Sequence, residues 1–108
     1  MCIRGIPGSP GVAEGVIRVY DGEDPDGFDS DDIVAIENTL DPKLAQDLDH
    51  VAALLLRTGG RLSHGVTIAR ELGITVVCGL EDAFNRLEPG ASAEVDGTNG
   101  TIEIKEKG

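Results

Sequence analysis

Two short, uninterrupted runs of apolar residues constrain the fold of this chain more than any other feature. They lie at residues 52–56 and 74–78, with the sequences AALLL and ITVVC. A run of this length without polar alternation is typical of a β-strand that is covered on both faces. Aromatic residues make up only 3% of the chain, so the core must be aliphatic. The chain is therefore predicted to be an α/β domain.

Local patterns predict the remaining elements of a mixed sheet with short helices. Strands are expected at 16–20 and 33–37, and a C-terminal β-hairpin at 92–95 and 101–104. The glycine- and proline-rich segment 5–15 is predicted to be a turn or entry region. One or two helical turns are expected at 80–87.

Two helices are predicted from their capping signals. Asp41 and Pro42 mark the start of the first helix, as N-cap and first-turn proline. Its apolar face is predicted to consist of Leu44, Leu48 and Val51. The second helix is expected to run from 64 to 72. It would have Ser63 as N-cap and Gly73 as the left-handed stop.

Length and charge limit the classes of partner. The 108 residues favour a single domain, 1–108, and the 20 acidic residues outnumber the 9 basic ones, for a net charge of −11. Such a surface disfavours nucleic acid and membrane as partners. The acidic stretch 21–32 lacks the spacing of a calcium loop and is interpreted as a solvated loop. No leader and no apolar run of membrane length is present, so a cytoplasmic location is expected.

The two cysteines and His50 do not suggest a functional site. Cys2 and Cys78 have no motif spacing, so no metal site or disulfide is predicted, and Cys78 is expected in the core. His50 lies near the end of the first predicted helix, where favourable interaction with the helix dipole is a sufficient reason for it.

The segment 54–79 is the one that suggests chemistry. A buried strand leads into Gly59 and Gly60, and Ser63 and His64 then open a helix. A helix N-terminus stabilises negative charge, and glycines allow close approach of another surface. A neutral imidazole has a ring nitrogen with a free lone pair for nucleophilic attack. Arg57 and Arg61 flank the turn and could neutralise a phosphate, although loop arginines are commonly only solvated.

A serine hydrolase is a poorer interpretation of the same segment. Ser63 and His64 are neighbours in sequence, so their side chains diverge, and no GxSxG elbow is present.

The segment TGGRLSHGVTIARELGITVVCG resembles the signature of the mobile domain of the phosphoenolpyruvate-utilising enzymes. That family includes phosphoenolpyruvate synthase, pyruvate phosphate dikinase, Enzyme I of the sugar phosphotransferase system and rifampicin phosphotransferase. The flanking segments 9–15, 31–35 and 87–100 are similar to the family as well. The resemblance implies a swivelling β/β/α fold in which His64 is the phosphorylated residue, while Gly59, Gly60, Arg61 and Ser63 shape the loop or bind phosphate.

The resemblance also implies partners. In the family, the domain moves between a nucleotide-binding (ATP-grasp) domain and a domain that binds phosphoenolpyruvate or pyruvate. Because the chain has no Walker A loop, no kinase glycine-rich loop and no barrel length, ATP, phosphoenolpyruvate and Mg²⁺ are expected on partner domains or subunits. No cofactor or metal is expected on this chain itself.

The chain departs from the family pattern at Leu40, Leu62 and Gly65, and two rival interpretations remain. Leu62 stands where the family usually has threonine. Gly65 and Val66 stand where the family usually has two small residues after the histidine. A glycine there is expected to leave room around the imidazole. The first rival is a non-catalytic interaction domain that kept the fold and lost the carrier role. The second is a swivelling domain of the aconitase type, in which His64 has no role.

Overall fold

The computed structural model describes residues 1–20, 22, 27–38, 40–60 and 62–107. These residues form strands, two α-helices and one 3₁₀ helix. In chain order the elements are β1 (Cys2–Arg4), β2 (Ile6–Ser9), β3 (Val12–Tyr20), β4 (Asp32–Ile36), α1 (Pro42–Asp47), β5 (Ala53–Leu56), α2 (His64–Glu71), β6 (Thr75–Cys78), the 3₁₀ helix (Glu81–Arg86), β7 (Ala91–Asp96) and β8 (Thr101–Lys107).

All these strands belong to one mixed sheet, in the order β1-β8-β7-β3-β4-β5-β6-β2. Strands β3 to β6 are parallel to one another, and the outer pairs are antiparallel. The first and last strands in this order, β1 and β2, are separated in the chain only by Gly5. A single residue spans at most about 7 Å between its neighbours, so the sheet must curl until its two edges meet.

The central strands are buried on both faces because alternate side chains serve two cores. In β4, Ile33 and Ala35 point to a core enclosed by the curled sheet. The 3₁₀ helix also packs into this core. Val34 and Ile36 point to a second core between the sheet and the two α-helices. This arrangement explains why the central strands are uninterrupted apolar runs.

The predicted α/β class, the buried strands and the closing hairpin are confirmed, whereas the N-terminal prediction was wrong. Residues 5–15 are not merely a turn region, because they contribute β2 and the first part of β3. Pro7 lies in β2, opposite Val77, and the register shifts between Pro7 and Ser9. A strand at the end of the sheet order tolerates a proline and a bulge because one side of it needs no ladder hydrogen bond.

The first helix begins where predicted but is shorter than its pattern suggested. It ends at Asp47, so Val51 lies beyond it, although Val51 is still buried. His50 also lies beyond the helix, and its Nε2 is 2.7 Å from the carbonyl oxygen of Phe28. This contact with Phe28 gives His50 a structural role that the sequence analysis did not predict.

Asp41 caps α1, and its removal gives a testable effect on stability. Asp41 Oδ1 accepts a hydrogen bond of 2.8 Å from the backbone N–H of Leu44. Asp41→Ala is expected to lower the free energy of unfolding by about 1 kcal/mol, measured by urea denaturation. Asp47→Ala, which removes only an exposed contact of 3.5 Å with Lys43, is the matched control and should change stability by less than about 0.5 kcal/mol. An equal effect of the two substitutions would contradict the capping role.

The acidic stretch predicted as a solvated loop falls largely at positions 21 and 23–26, outside the described residues. At its end, Asp32 belongs to β4 and is buried. It accepts hydrogen bonds from the Asp29 backbone N–H and, at 3.5 Å, from Arg18 Nε.

Candidate functional site

The candidate site lies at the carboxyl ends of the parallel strands β4, β5 and β6. Parallel strands end at the same edge of a sheet, and ligands of α/β proteins commonly bind outside that edge. The backbone of Arg57, the first residue after β5, links the end of β4 to the start of the 3₁₀ helix that follows β6. Its N–H donates to Ile36 at 3.1 Å, and its carbonyl accepts from Glu81 at 2.9 Å. The loop to α2 therefore starts from a fixed point.

His64 is the first residue of α2 and is exposed. Ser63 occupies the N-cap position with an extended backbone, as predicted, but its side chain makes no capping hydrogen bond. Its carbonyl instead accepts from the backbone and side chain of Thr67, at 3.0 and 3.1 Å. Ser63 therefore has the predicted position, but its side chain does not make the predicted hydrogen bond to the N–H groups at the start of α2.

Gly59 and Gly60 lie in the turn before the helix, and they differ in backbone conformation and surroundings. Gly59 has a φ of +87°, a conformation that favours glycine. Its missing side chain would point toward the hydroxyl of Ser63. Gly60 has no positive φ, and nothing lies within 4 Å of the place that a Cβ would occupy. Within this chain, therefore, the backbone at Gly60 does not require a glycine.

Gly65 follows His64 and is buried against the β4–α1 loop. A methyl group at this position would overlap the backbone carbonyl oxygen of Leu40. The expectation that Gly65 leaves room around the imidazole was therefore incomplete, because the glycine lets α2 pack against the residue that precedes α1. Leu40 and Gly65, two departures from the family pattern, are in direct contact.

Of the two candidate arginines in the loop, the structure describes Arg57, which makes an ion pair. Its Nη1 donates to Glu37 Oε1 at 2.9 Å, and the side chains of Arg57 and Glu37 are 32% and 60% exposed. Glu37 directly follows β4, just as Arg57 follows β5. Arg61, the other candidate, lies outside the described residues.

A groove of about 470 Å³ lies between β2 and α2. Leu62 lines it together with Pro7, Pro10 and Arg70, and Leu62 is 89% exposed. The Arg70 guanidinium donates from Nε and Nη2 to the carbonyl oxygen of Gly8, at 3.2 and 2.9 Å. Arg70 therefore ties α2 to β2.

The resolved pKa shifts lie outside this loop and have local causes. Burial raises the pKa of the Cys78 thiol, with a smaller opposing effect of the Arg70 charge, so this core cysteine is a poor nucleophile. The hydrogen bond from the Asn99 side chain lowers the pKa of Asp96 in the hairpin turn. The hydrogen bond with Glu14 raises the pKa of Lys105.

Sequence comparison places this site within a known family. The model of the family described as "PEP-utilising enzyme, mobile domain" matches residues 28–100, which include the whole loop and α2. The chain belongs to this family.

Two curated relatives illustrate the range of enzymes that contain such a mobile domain. The chain is 34% identical over 101 residues to phosphoenolpyruvate synthase of Pyrococcus furiosus, covering 93% of this chain. It is 38% identical over 103 residues to rifampicin phosphotransferase of Bacillus subtilis, covering 94% of this chain. The chain spans only about 12% of the length of each relative.

Solved structures share the fold of the mobile domain. The structure of Thermococcus kodakaraensis aconitase X is similar with a TM-score of 0.74 at 19% identity, covering 98% of this chain and 99% of that one. A solution structure of Enzyme I is similar with a TM-score of 0.63 at 24% identity, covering 77% of this chain and 34% of that one. At these identities the likeness concerns the fold alone.

Sequence reasoning missed Glu37, Leu40 and Arg70 as residues that shape this site. A signal existed for Glu37, because it and Arg57 carry opposite charges at the ends of two predicted strands. No local pattern pointed to Leu40, which acts through its backbone carbonyl. In the part of the chain that the structure describes, no helix is long and apolar enough to span a membrane.

Proposed function

We propose that this mobile domain is a phosphohistidine carrier, in which His64 accepts a phosphoryl group and passes it on between the active sites of a phosphotransferase. The observation that carries the proposal is the position of His64. It is exposed, it opens a helix that the side chain of its N-cap residue Ser63 does not cap, and it stands at the carboxyl edge of the parallel strands. A nucleophile placed there can approach a donor that is bound to another protein surface.

The chemical step needs little from this chain beyond positioning. A lone pair on one imidazole nitrogen attacks the phosphorus, and the P–O bond to the leaving group breaks with its electrons remaining on that oxygen. The ring proton on the other nitrogen is then released to solvent, leaving a neutral phosphoimidazole. The N–H groups at the start of α2 and the helix dipole favour the added negative charge. Transfer to the acceptor reverses these steps.

The donor, the acceptor and Mg²⁺ are proposed to be bound by partner domains or subunits. An ATP-grasp domain would supply the nucleotide, and a second domain would bind phosphoenolpyruvate, pyruvate or another acceptor. The small share of each relative that the chain matches, about 12%, supports a division of labour in which this domain only carries the group.

Intact-mass analysis tests the carrier function directly. The chain is incubated with ATP or phosphoenolpyruvate plus cell extract and kept alkaline, because phosphohistidine is acid-labile. A single added phosphate that disappears in acid is expected. No added phosphate with either donor would contradict the proposal.

A non-catalytic docking domain is the second candidate, and Leu62 favours it. This leucine is 89% exposed and stands two residues before His64, where the family usually has a threonine. A large exposed aliphatic side chain suits protein contact better than phosphate binding. The docking role predicts association with a partner but no labelling of His64, so the same mass measurement separates the two functions.

A further inference from the structure

We propose that Arg57 is the counter-ion of the phosphoryl group on His64, and that Glu37 holds Arg57 in place while the histidine is unphosphorylated. This inference deepens the proposed carrier function and rests on it. It assigns a switch to one ion pair: Arg57 bonds to the Glu37 carboxylate in the resting protein and to the phosphoryl oxygens after transfer.

The first support is the anchoring of Arg57. Both of its backbone groups are hydrogen-bonded to neighbouring elements, to Ile36 at the end of β4 and to Glu81 at the start of the 3₁₀ helix. Only the side chain is left to move, and it carries a planar guanidinium that suits phosphate oxygens. A long, anchored arginine can therefore change partners without disturbing the loop.

The second support is the position of the two loops around His64. Gly59, two residues after Arg57, lies against the side chain of Ser63. Leu40, three residues after Glu37, lies against Gly65. The residues on both sides of His64 thus contact the loops that carry Arg57 and Glu37.

The third support is electrostatic. The pair of 2.9 Å is partly open to solvent, with 32% and 60% of the two side chains exposed, and such pairs contribute little to stability. A phosphoryl group carries roughly −1.5 to −2 charges and offers three strong acceptor oxygens. It should therefore compete successfully with the single charge of Glu37 for the guanidinium.

Chemical phosphorylation tests this inference without any partner enzyme. Potassium phosphoramidate is the probe. An imidazole nitrogen attacks its phosphorus, the P–N bond breaks, ammonia leaves with the bonding electrons, and the other ring nitrogen gives its proton to solvent. The decay of phosphohistidine at each of the two histidines is then followed at alkaline pH by peptide mass analysis.

Arg57→Gln is expected to accelerate the decay of phospho-His64 about fivefold, the effect of losing one charge-assisted hydrogen bond. The charge-assisted hydrogen bonds from the guanidinium exist only while the phosphoryl group is on His64 and are lost when the group leaves to water, so they stabilise the phosphorylated state. Arg57→Lys should give an intermediate rate because it keeps the charge and loses the fork. Glu37→Gln should leave the decay as slow as in the parent or slower, because it removes the competing carboxylate.

Arg18→Gln is the matched control. Arg18 pairs with Asp32, where β4 begins, at the opposite edge of the parallel strands from His64. Its removal should leave the decay of phospho-His64 unchanged. The decay of phospho-His50 should be the same in every variant. Thermal unfolding of each variant verifies that the fold is kept.

Equal decay of phospho-His64 in the parent and in Arg57→Gln would overturn the inference. So would phosphorylation of His50 without any phosphorylation of His64, since His64 would then not be open to an anion. Neither result depends on the enzymatic labelling described above. Failure of this inference is therefore distinguishable from failure of the carrier function.

Discussion

His64→Ala is expected to fold as the parent does and to take up no phosphoryl group from ATP or phosphoenolpyruvate in the presence of extract. The side chain is exposed, at the first position of α2. Alanine is the best helix former, and a surface substitution of this kind changes stability by about 0.5 kcal/mol or less. Loss of the nucleophile, by contrast, removes the acceptor atom altogether. Thermal unfolding and intact-mass analysis measure the two effects on the same sample.

His50→Ala is the control, because His50 is the only other histidine of the chain. It is also exposed, and its hydrogen bond to the Phe28 carbonyl lies outside the candidate site. Labelling should persist in this variant. Undiminished labelling of His64→Ala would show that the phosphoryl group goes to another residue, and unfolding of His64→Ala would show that the histidine is structural.

Gly65→Ala is expected to lower the free energy of unfolding by about 3 kcal/mol. The added methyl group would meet the carbonyl carbon and oxygen of Leu40. Backbone atoms cannot turn aside as a flexible side chain can, so α2 or the β4–α1 loop must shift. For a domain of this size, the Tm should fall by more than about 10 °C. Urea denaturation and thermal unfolding measure the change.

Gly60→Ala is the matched substitution in the same loop. Because Gly60 has open space around it and no positive φ, its replacement should cost less than about 0.5 kcal/mol. A large loss of stability in Gly60→Ala, or none in Gly65→Ala, would contradict the packing described here. If Gly60→Ala is stable but is phosphorylated slowly, the glycine serves the approach of a partner and not the fold.

Local patterns were enough to predict the elements that form the core and carry the candidate site. Continuous apolar runs predicted β5 and β6, and capping residues predicted the start of α1 and the end of α2. Asp41 does cap α1, and Gly73 has a φ of +79°. These features depend on neighbours within a few residues in sequence, so the sequence alone contains the information.

The remaining features depend on contacts between distant segments. Segment 5–15 forms strands only because β6 and β7 offer it partners, and its glycines and prolines alone suggested a turn. Ser63 was a reasonable cap, yet the direction of its hydroxyl depends on the adjacent turn. The reason for Gly65 is its contact with Leu40, which lies twenty-five residues earlier in the sequence.

The junction at Gly5 has a consequence for how the chain is made. Strand β2 pairs with residues 76–78, but β1 pairs with residues 101–103. During synthesis from the N-terminus, β2 can therefore find its partner well before β1 can. Until β8 emerges, β1 and the outer side of β7 both present unpaired backbone groups, which are sites for association with other chains. Strand β8 pairs with both β1 and β7 when it emerges, and a chain truncated before Thr101 would leave the facing sides of these two strands unpaired.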